Sequence, residues 1–248
     1  NTMIMAFAMK GDSNKALELF RKMGPSGMDP DEVSYLAAIC ACNHGGLVDE
    51  GYKLFTSMQD SGSLTLNVKH YGSVVDLLGR AGRLQQAYNV INSMPIVPDM
   101  VLWQTLLGAC KTYKNVEMAE ILTRKLVEMG SNSDGNFVLL SNIYASHERW
   151  ADVGRVRQVM KNKDVKKIPG FSYIEAKGVI HKLYNGDKRH DEWMKIYDKL
   201  EEMRFKMKEF GYVAETSFVL HDIGEEEKEN ALCLHSEKLA VAFGLVCA

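Results

Sequence analysis

His235 and Glu237 stand two residues apart, and a His and a Glu at this spacing can carry half of a metal-assisted hydrolysis. The imidazole can bind Zn²⁺, which turns a bound water into hydroxide, and the carboxylate can move the proton of that water without binding the metal. Such a site also needs two Cys thiolates as ligands. The pattern H-x-E is weak evidence alone, because a His on a helix is more often solvated or hydrogen-bonded.

The cysteines do not complete this set of ligands. They lie at irregular spacing with no C-x-x-C pair, at Cys40, Cys42, Cys110, Cys233 and Cys247. An odd number at irregular spacing argues against a disulfide framework and for a reducing compartment. The sequence thus supplies one protein ligand where zinc needs three, and we expect no cofactor for this chain alone.

Composition and charge exclude several classes of protein. The 248 residues are 46% hydrophobic and 25% charged, which excludes collagen-like and wholly disordered chains. The apolar runs are too short for a membrane span, and no secretory signal opens the chain. Because the net charge is −2, nucleic acid could not be held mainly by counterion release, and its binding would need contacts to the bases.

The elements that would position these side chains follow from an internal repeat. Four aromatic residues lie 36, 32 and 34 positions apart, namely Tyr35, Tyr71, Trp103 and Phe137. A second set, called here the small-residue series, consists of Ala16, Gly51, Ala87, Ala119 and Val153. Each aromatic precedes a member of this series by 16 positions. Chance would not keep this offset constant while the repeat length varies.

Each repeat is predicted to form two short antiparallel helices. Apolar residues three and seven positions after each member of the small-residue series lie on the same helical face as that member. The small residue lets the second helix approach the first closely, and Pro30 and Pro98 fall between repeats, where a helix must stop. Since one hairpin cannot bury its apolar faces, we predict an α-solenoid rather than an ordinary helical bundle.

The last third of the chain is predicted to form a small α/β region. Alternating apolar and polar residues on both sides of Gly178, over 171–175 and 179–184, predict a β-hairpin. The stretch 191–210 predicts a helix with one apolar face, made of Trp193, Ile196, Tyr197, Leu200, Met203 and Met207. The fold class is therefore mainly α, an α-solenoid of helix-turn-helix repeats followed by a small α/β, partly cytidine-deaminase-like region.

Several motifs resemble those of pentatricopeptide repeat (PPR) proteins. The standard repeat and its long and short variants are similar to Ala16-Leu-Glu-Leu-Phe-Arg-Lys-Met, Gly45-Gly-Leu-Val-Asp-Glu-Gly and Val75-Asp-Leu-Leu-Gly-Arg-Ala-Gly-Arg-Leu. Two degenerate extension motifs resemble Trp103-Gln-Thr-Leu-Leu-Gly-Ala-Cys and Val138-Leu-Leu-Ser-Asn-Ile-Tyr-Ala. The DYW-type deaminase domain resembles His235-Ser-Glu-Lys-Leu-Ala-Val-Ala-Phe-Gly-Leu. The chain is identified as a member of the plant organellar PPR proteins of the P-L-S class.

The resemblance implies three segments and a function. The segments are PPR repeats of P, L and S types over 1–99, two extension motifs over 100–167, and the N-terminal part of a DYW-type deaminase-like domain over 168–248. The implied function is sequence-specific binding of single-stranded organellar RNA, which selects sites for C-to-U RNA editing and presents or recruits a cytidine deaminase. Implied partners are multiple organellar RNA editing factor proteins and another DYW-bearing PPR protein, with no membrane.

The resemblance also implies a mitochondrial or chloroplast location. The chain begins at Asn1, inside a repeat, so we expect a targeting peptide upstream of it.

In this family one repeat reads one base through its fifth and last residues. By position the pairs are Asn1 with Asp31, Leu36 with Asn67, and Gly72 with Asp99. The resemblance implies that Asn with Asp prefers uridine. Leu cannot hydrogen-bond a base edge, and in the third pair only the Asp side chain is polar. The RNA-binding candidates are therefore Asn1, Asp31 and Asp99, although Asn1 by position alone could equally be a helix-start residue without a ligand.

The extension motifs carry Gln104 with Ser133, and Asn136, at comparable places. In the family these residues are usually not base readers, and we expect them on a solvated or protein-contacting face.

Two alternatives to the editing-factor interpretation stay open. The first is a fragment of an intact zinc-dependent DYW cytidine deaminase, in which His235 would bind the metal and Glu237 would shuttle the proton. A downstream C-x-x-C would decide for it, whereas the chain as given is not expected to be an enzyme. The second is a non-catalytic organellar RNA-processing or scaffold protein, which Leu36 and Gly72 favour and which Asn1 and Asp31 oppose.

Overall fold

The computed structural model describes residues 1–131, 134–162 and 170–247. The chain divides into two compact units, one of Asn1–His147 with Asp152–Lys163 and the other of Glu148–Ala151 with Asp164–Ala248. Helical hairpins make up the first unit, and a two-stranded sheet with helices makes up the second. The predicted fold class is confirmed.

The helices of the first unit occur in pairs. The first helices of the pairs are α1 (Thr2–Met9), α3 (Glu32–Gly45), α5 (Val68–Arg80), α7 (Met100–Thr112) and α9 (Asp134–Ala145). The second helices are α2 (Ser13–Met23), α4 (Val48–Asp60), α6 (Leu84–Ser93), α8 (Val116–Glu128) and α10 (Trp150–Asn162). From α1 to α7, each first helix packs on the next first helix and on the second helices beside it, and α9 packs on α7 and α8, as in an α-solenoid.

The turn inside each pair contains one residue with positive φ. These residues are Gly11, Gly46, Gly82, Lys114 and Glu148, with φ of 83°, 67°, 74°, 52° and 58°. Each lies five positions before a member of the small-residue series, so the turn repeats with the same period as the helices. Gly adopts this conformation without steric cost, whereas Lys and Glu adopt it in the two extension motifs.

The small-residue series lies where helices approach most closely. Ala16, Ala87 and Ala119 have no exposed area. A Cβ added to Gly51 on α4 would lie 2.6 Å from Cδ2 of Leu77 and 2.8 Å from Cβ of Cys42. The predicted reason for small residues in this series is therefore confirmed.

The aromatic series connects neighbouring repeats. Tyr35 packs edge to face on Phe20 of the preceding repeat, with ring centroids 5.1 Å apart. Tyr71 packs in the same way on Phe55 at 5.3 Å, and Trp103 lies 5.9 Å from the ring of Tyr88. Each such pair adds about 0.5–1.5 kcal/mol to the free energy gained by burial. Tyr35, Tyr71 and Trp103 thus each contact an aromatic ring of the preceding repeat.

The second unit is built on a hairpin, as predicted. Strand β1 (Phe171–Ala176) pairs antiparallel with β2 (Val179–Tyr184) through a two-residue turn in which Lys177 and Gly178 both have positive φ. Helix α11 (Trp193–Glu209) covers the predicted stretch 191–210. Two further helices follow, α12 (Glu225–Cys233), which begins with three glutamates, and α13 (Ser236–Cys247).

The core of the second unit lies between the hairpin, α11 and α13. Its largest buried side chains are Leu183, Ile196, Leu200, Leu239 and Phe243. A Cβ on Gly244 would lie 2.8 Å from Cδ1 of Ile174, so α13 approaches β1 closely. Among the helices that the structure describes, none has the length and apolar character needed to cross a membrane.

Candidate functional sites

Asn1 and Asp31 meet across the first two repeats. Asn1 precedes α1 and makes no side-chain capping bond, so its amide is available for other contacts. Its Nδ2 donates to both carboxylate oxygens of Asp31, at 3.0 Å and 2.9 Å. Both residues are exposed. The structure therefore brings together the fifth and last residues that the sequence paired.

Ser34 is a third member of this cluster, and sequence reasoning missed it. Its Oγ lies 2.6 Å from Oδ1 of Asn1 and 2.6 Å from Oδ1 of Asp31, and the residue is fully buried. The hydroxyl and backbone N–H of Ser34 donate to Asp31, and these bonds hold the pKa of the Asp31 carboxyl below its usual range. The available signal was the three-residue spacing of a capping box.

The last residues of all three predicted pairs are helix N-caps. Asp31 accepts from the Ser34 N–H at 2.8 Å and Asp99 accepts from the Leu102 N–H at 3.0 Å. Asn67 accepts from the Lys69 N–H at 3.0 Å. A polar last residue therefore has a structural role before any RNA is considered.

The second and third pairs offer fewer groups to a ligand. His70 is 1% exposed; its Nδ1 accepts from the Asn67 backbone N–H, and its Nε2 lies 2.9 Å from the Glu32 carbonyl. This assigns the Nε2–H tautomer and fixes the start of α5. Gly72 has no side chain. Asp99 is exposed, and the capping bond to Leu102 uses its Oδ1. Of the described pairs, Asn1 with Asp31 presents the most hydrogen-bonding groups.

The extension motifs place Gln104 against Asn136. The Gln104 Nε2 donates to Asn136 Oδ1 at 3.2 Å, and Asn136 Nδ2 donates to Ser131 Oγ at 2.9 Å. Asn136 is 3% exposed, so of the two expected environments, a solvated face and a protein-contacting face, the solvated one does not apply to this residue. Its amide contacts Gln104 on α7 and Ser131 between α8 and α9, and this burial does not suit a base-reading residue. Ser133 lies outside the described residues.

His235 and Glu237 lie at the start of α13. The His235 Nδ1 is 2.8 Å from Glu237 Oε2, and their side chains are 52% and 76% exposed. Ser236 between them is buried, and its Oγ lies 3.0 Å from that of Ser172 on β1. Helix α13 is therefore anchored at this point while the two flanking side chains face solvent.

The residues present do not fit a zinc ion. No group of three or more His, Cys, Asp or Glu that could hold a metal occurs in the described part of the chain. Cys42 and Cys110 belong to the first unit, where burial raises the pKa of both thiols to about 12. His235 is the one zinc ligand that the H-x-E motif contributes.

His190, left without a functional role by the sequence, has its hydrogen bonds inside the second unit. Its Nδ1 accepts from the Glu192 N–H at 3.1 Å, and its Nε2 lies 3.0 Å from His181 Nδ1. Both rings pack on Phe243 at 4.6 Å. These contacts tie the hairpin to α13.

Three family descriptions match separate parts of the chain. The PPR repeat matches residues 1–24, 33–63 and 69–95, the E motif matches 113–175, and the DYW family of nucleic acid deaminases matches 211–248. Among solved structures, the PPR protein PPR10 from maize has a TM-score of 0.63 at 18% identity, over 93% of this chain and 30% of that one. PPR10 in complex with an 18-nt psaJ RNA element has a TM-score of 0.55 at 20% identity, over 67% of this chain and 25% of that one.

Curated relatives come from plants. The pentatricopeptide repeat-containing protein At1g34160 of Arabidopsis thaliana is 61% identical over 99% of this chain and 42% of its own length. The protein OGR1, mitochondrial, of Oryza sativa subsp. japonica is 57% identical over 99% of this chain and 41% of its own length. A chloroplastic relative, At1g08070 of Arabidopsis thaliana, is 42% identical over 99% of this chain and 33% of its own length. The chain thus spans about two fifths or less of these relatives, and it belongs to the pentatricopeptide repeat family, with an E motif and part of a DYW deaminase domain after its repeats.

Proposed function

We propose that this chain is a recognition part of a site-selecting factor for C-to-U RNA editing in a plant organelle. Its repeats bind single-stranded RNA, and the repeat of Asn1 and Asp31 reads a uridine. The observation that carries the proposal is the Asn1–Asp31–Ser34 cluster, which joins two repeats at an exposed position. The E motif and DYW matches favour editing over other uses of such repeats.

The cluster has the hydrogen-bonding groups that uridine requires. In the described contacts one N–H of the Asn1 amide donates to Asp31, and Asn1 Oδ1 shares the single hydroxyl hydrogen of Ser34 with Asp31. The second N–H can donate to a uracil carbonyl, and Asp31 Oδ2 or Asn1 Oδ1 can accept from uracil N3–H. Cytosine carries no hydrogen on N3, so the accepting groups would face a lone pair. The cluster can therefore distinguish uridine from cytidine with one donor and one acceptor held at fixed positions.

The location and partners are part of the same proposal. Relatives named mitochondrial and chloroplastic support an organelle without choosing between the two. Multiple organellar RNA editing factor proteins and a second DYW-bearing PPR protein are the proposed protein partners. The deaminase is then either completed within the full-length protein or recruited from such a partner.

A cytidine deaminase in its own right is the second candidate. The contact between His235 and Glu237 favours it, because a Glu next to the metal-binding His is the arrangement that hydrolytic deamination uses. Zinc is proposed only for a protein that adds two thiolate ligands, and when bound it would supply an activated water. Zinc content of the purified full-length protein tests this, since a Zn²⁺-free protein with full editing function in the plant would exclude it.

The test of the main proposal is sequencing of both organellar transcriptomes in a plant that lacks the gene. We expect one or a few cytidines to stay unconverted, with a uridine upstream at the position assigned to the Asn1 repeat. Re-expression of the protein should restore conversion at those cytidines. Normal editing at every site, with defects in splicing, transcript ends or translation instead, would refute the proposal and favour an RNA-processing scaffold.

A further inference from the structure

The two faces of the β1–β2 hairpin have different surroundings. On the inner face, Leu183 and Ala176 are buried against α11 and α13. On the outer face, the cross-strand pairs are Phe171 with Tyr184 and Tyr173 with Lys182. Phe171 is 38% exposed and Tyr173 is 60% exposed. The outer face thus carries two exposed aromatic rings, the half-buried ring of Tyr184 and an exposed Lys side chain.

The rings and the ammonium group form one cluster. Phe171 meets Tyr173 at 5.0 Å and Tyr184 at 5.8 Å, in both cases edge to face. The Lys182 Nζ lies 3.7 Å from the Phe171 centroid, 5.0 Å from that of Tyr184 and 5.7 Å from that of Tyr173. Hydrogen bonding to the Tyr184 hydroxyl raises the pKa of Lys182, so the group stays charged at physiological pH.

Further cations extend this surface beyond β2. The Arg189 guanidinium lies 5.1 Å from the Tyr184 ring and also pairs with Asp187. Lys188 lies 5.3 Å from the ring of Trp193 on α11. In the other direction the next pair is Glu175 with Ile180, where a carboxylate would repel phosphate. The cationic part of the surface therefore ends at the Tyr173–Lys182 pair.

Aromatic rings interleaved with cations on an open sheet face suit unpaired nucleotides. Each base can stack on a ring for about 1–3 kcal/mol, whichever base it is, and the cations can neutralise the phosphates between them. In a double helix the bases are paired and stacked on one another, so their flat faces are not available to these rings. An apolar protein partner would have to bury the charge of Lys182, which costs free energy without an acidic group to match it.

We propose that the outer face of the hairpin, formed by Phe171, Tyr173, Lys182 and Tyr184, is a second binding surface for single-stranded RNA, on which one or two bases stack. This surface is here called the stacking platform. The inference rests on the proposed function in that the ligand is RNA, but it concerns residues outside the repeats. Lys182 and Tyr184 lie in the segment 176–210, between the matched E motif and the matched DYW domain, whereas Phe171 and Tyr173 lie at the end of the matched E motif.

The experiment uses the full-length protein and an oligouridine RNA that contains 4-thiouridine. Ultraviolet crosslinking followed by mass spectrometry should identify crosslinks on Phe171, Tyr173 or Tyr184, and the same oligouridine annealed to oligoadenosine should give none. Tyr173→Ala should weaken binding of the single strand about tenfold, the equivalent of about 1.4 kcal/mol. Lys182→Gln should reduce the slope of log affinity against log salt by about 0.7.

The matched control is Phe205→Ala, which removes an aromatic ring that is 66% exposed on α11. It should leave affinity unchanged, because Phe205 has no part in the platform. If Tyr173→Ala behaves like Phe205→Ala and all crosslinks fall on the repeats, the platform is refuted while RNA binding by the repeats stands. If the wild-type protein binds no single-stranded RNA, both proposals fail together. Tyr173→Ala that releases a protein partner and leaves RNA affinity intact would likewise overturn the platform.

Discussion

The Asp31 carboxylate accepts hydrogen bonds from the backbone N–H and hydroxyl of Ser34 and from the amide of Asn1. One side chain therefore caps α3 and also holds the candidate base-reading residue in place. Loss of a cap costs about 0.5–2 kcal/mol, so a change at Asp31 would mix stability with recognition. Asn1 makes no side-chain capping bond, so a change at Asn1 tests RNA recognition without removing a helix cap.

Asn1→Ala should remove the preference for uridine without unfolding the protein. We expect binding to an RNA with uridine at the assigned position to fall about tenfold, the worth of roughly 1.4 kcal/mol, because one donor and one acceptor are lost. Binding to the same RNA with cytidine there should change little. Fluorescence anisotropy with the two RNAs measures the ratio of the affinities for uridine and for cytidine at this position.

Leu36→Ala is the control, since Leu36 holds the fifth position of the next repeat and has no hydrogen-bonding group. It should leave the preference between uridine and cytidine unchanged. An Asn1→Ala protein that still prefers uridine tenfold would mean that this repeat does not read the base.

The Ser34 bonds also predict a pH dependence. The pKa of Asp31 is lowered in the folded protein, so its ionised form stabilises the fold at pH values above the ordinary Asp range, and this contribution is lost as the pH falls through the lowered pKa. Ser34→Ala should raise the pKa of Asp31 toward the ordinary value, so that the stability lost in acid becomes smaller and its loss is complete at a higher pH. Carbon-13 NMR titration of the Asp31 carboxyl and thermal unfolding against pH measure these effects.

Ser73→Ala is the matched control for this change. Its hydroxyl donates to the Lys69 carbonyl and contacts the Cys40 sulfur, so no carboxylate loses a partner. The Asp31 titration should be unaffected. An unshifted Asp31 pKa in Ser34→Ala would show that Ser34 does not stabilise the carboxylate.

At the scale of helices, the small-residue series sets the distance between the two helices of a repeat. Gly51 is its most restrictive member, since an added Cβ would lie within 2.8 Å of Cys42 in the same repeat and of Leu77 in the next. One methyl group at Gly51 would therefore push α4 away from α3 and α5 together.

Gly51→Ala should lower the free energy of unfolding by about 1–3 kcal/mol, the usual cost of overpacking. Gly108→Ala on α7 is the control, because a Cβ there would meet no atom within 4 Å. It should raise the stability by about 0.5–1 kcal/mol through helix propensity alone. Urea unfolding followed by circular dichroism measures both. Equal stabilisation by the two changes would contradict the close approach seen at Gly51.

At the scale of the whole molecule, the sequence could predict the repeats because their packing depends on residue size at one position and on an aromatic 16 positions earlier. The hairpin and α11 could be predicted for a similar reason, since period and turn residues act locally. The burial of Asn136 could not, because it depends on a neighbouring helix that the periodicity does not place. Nor could the stacking platform, since Phe171 and Lys182 share a face only through the strand register.

The two candidate sites differ in how far local sequence could reveal them. Asn1 and Asp31 were paired through the resemblance, and the structure then added Ser34 and the capping role. His235 and Glu237 are close in sequence, so their contact was implicit, but a complete ligand set depends on residues distant in the chain.

Charge gives the last prediction for the molecule as a whole. With a net charge of −2, the chain cannot release many counterions when it binds RNA, and its affinity must come mainly from contacts with bases. We expect the slope of log affinity against log salt to lie between about −1 and −2, which corresponds to one to three neutralised phosphates on a single strand. Because Asn1 is uncharged, the ratio of affinities for uridine and cytidine at its position should stay constant as the salt concentration rises. Anisotropy titrations over a salt series measure both quantities, and a slope steeper than about −5, or a ratio that falls toward one at high salt, would mean that phosphate contacts rather than base contacts hold the RNA.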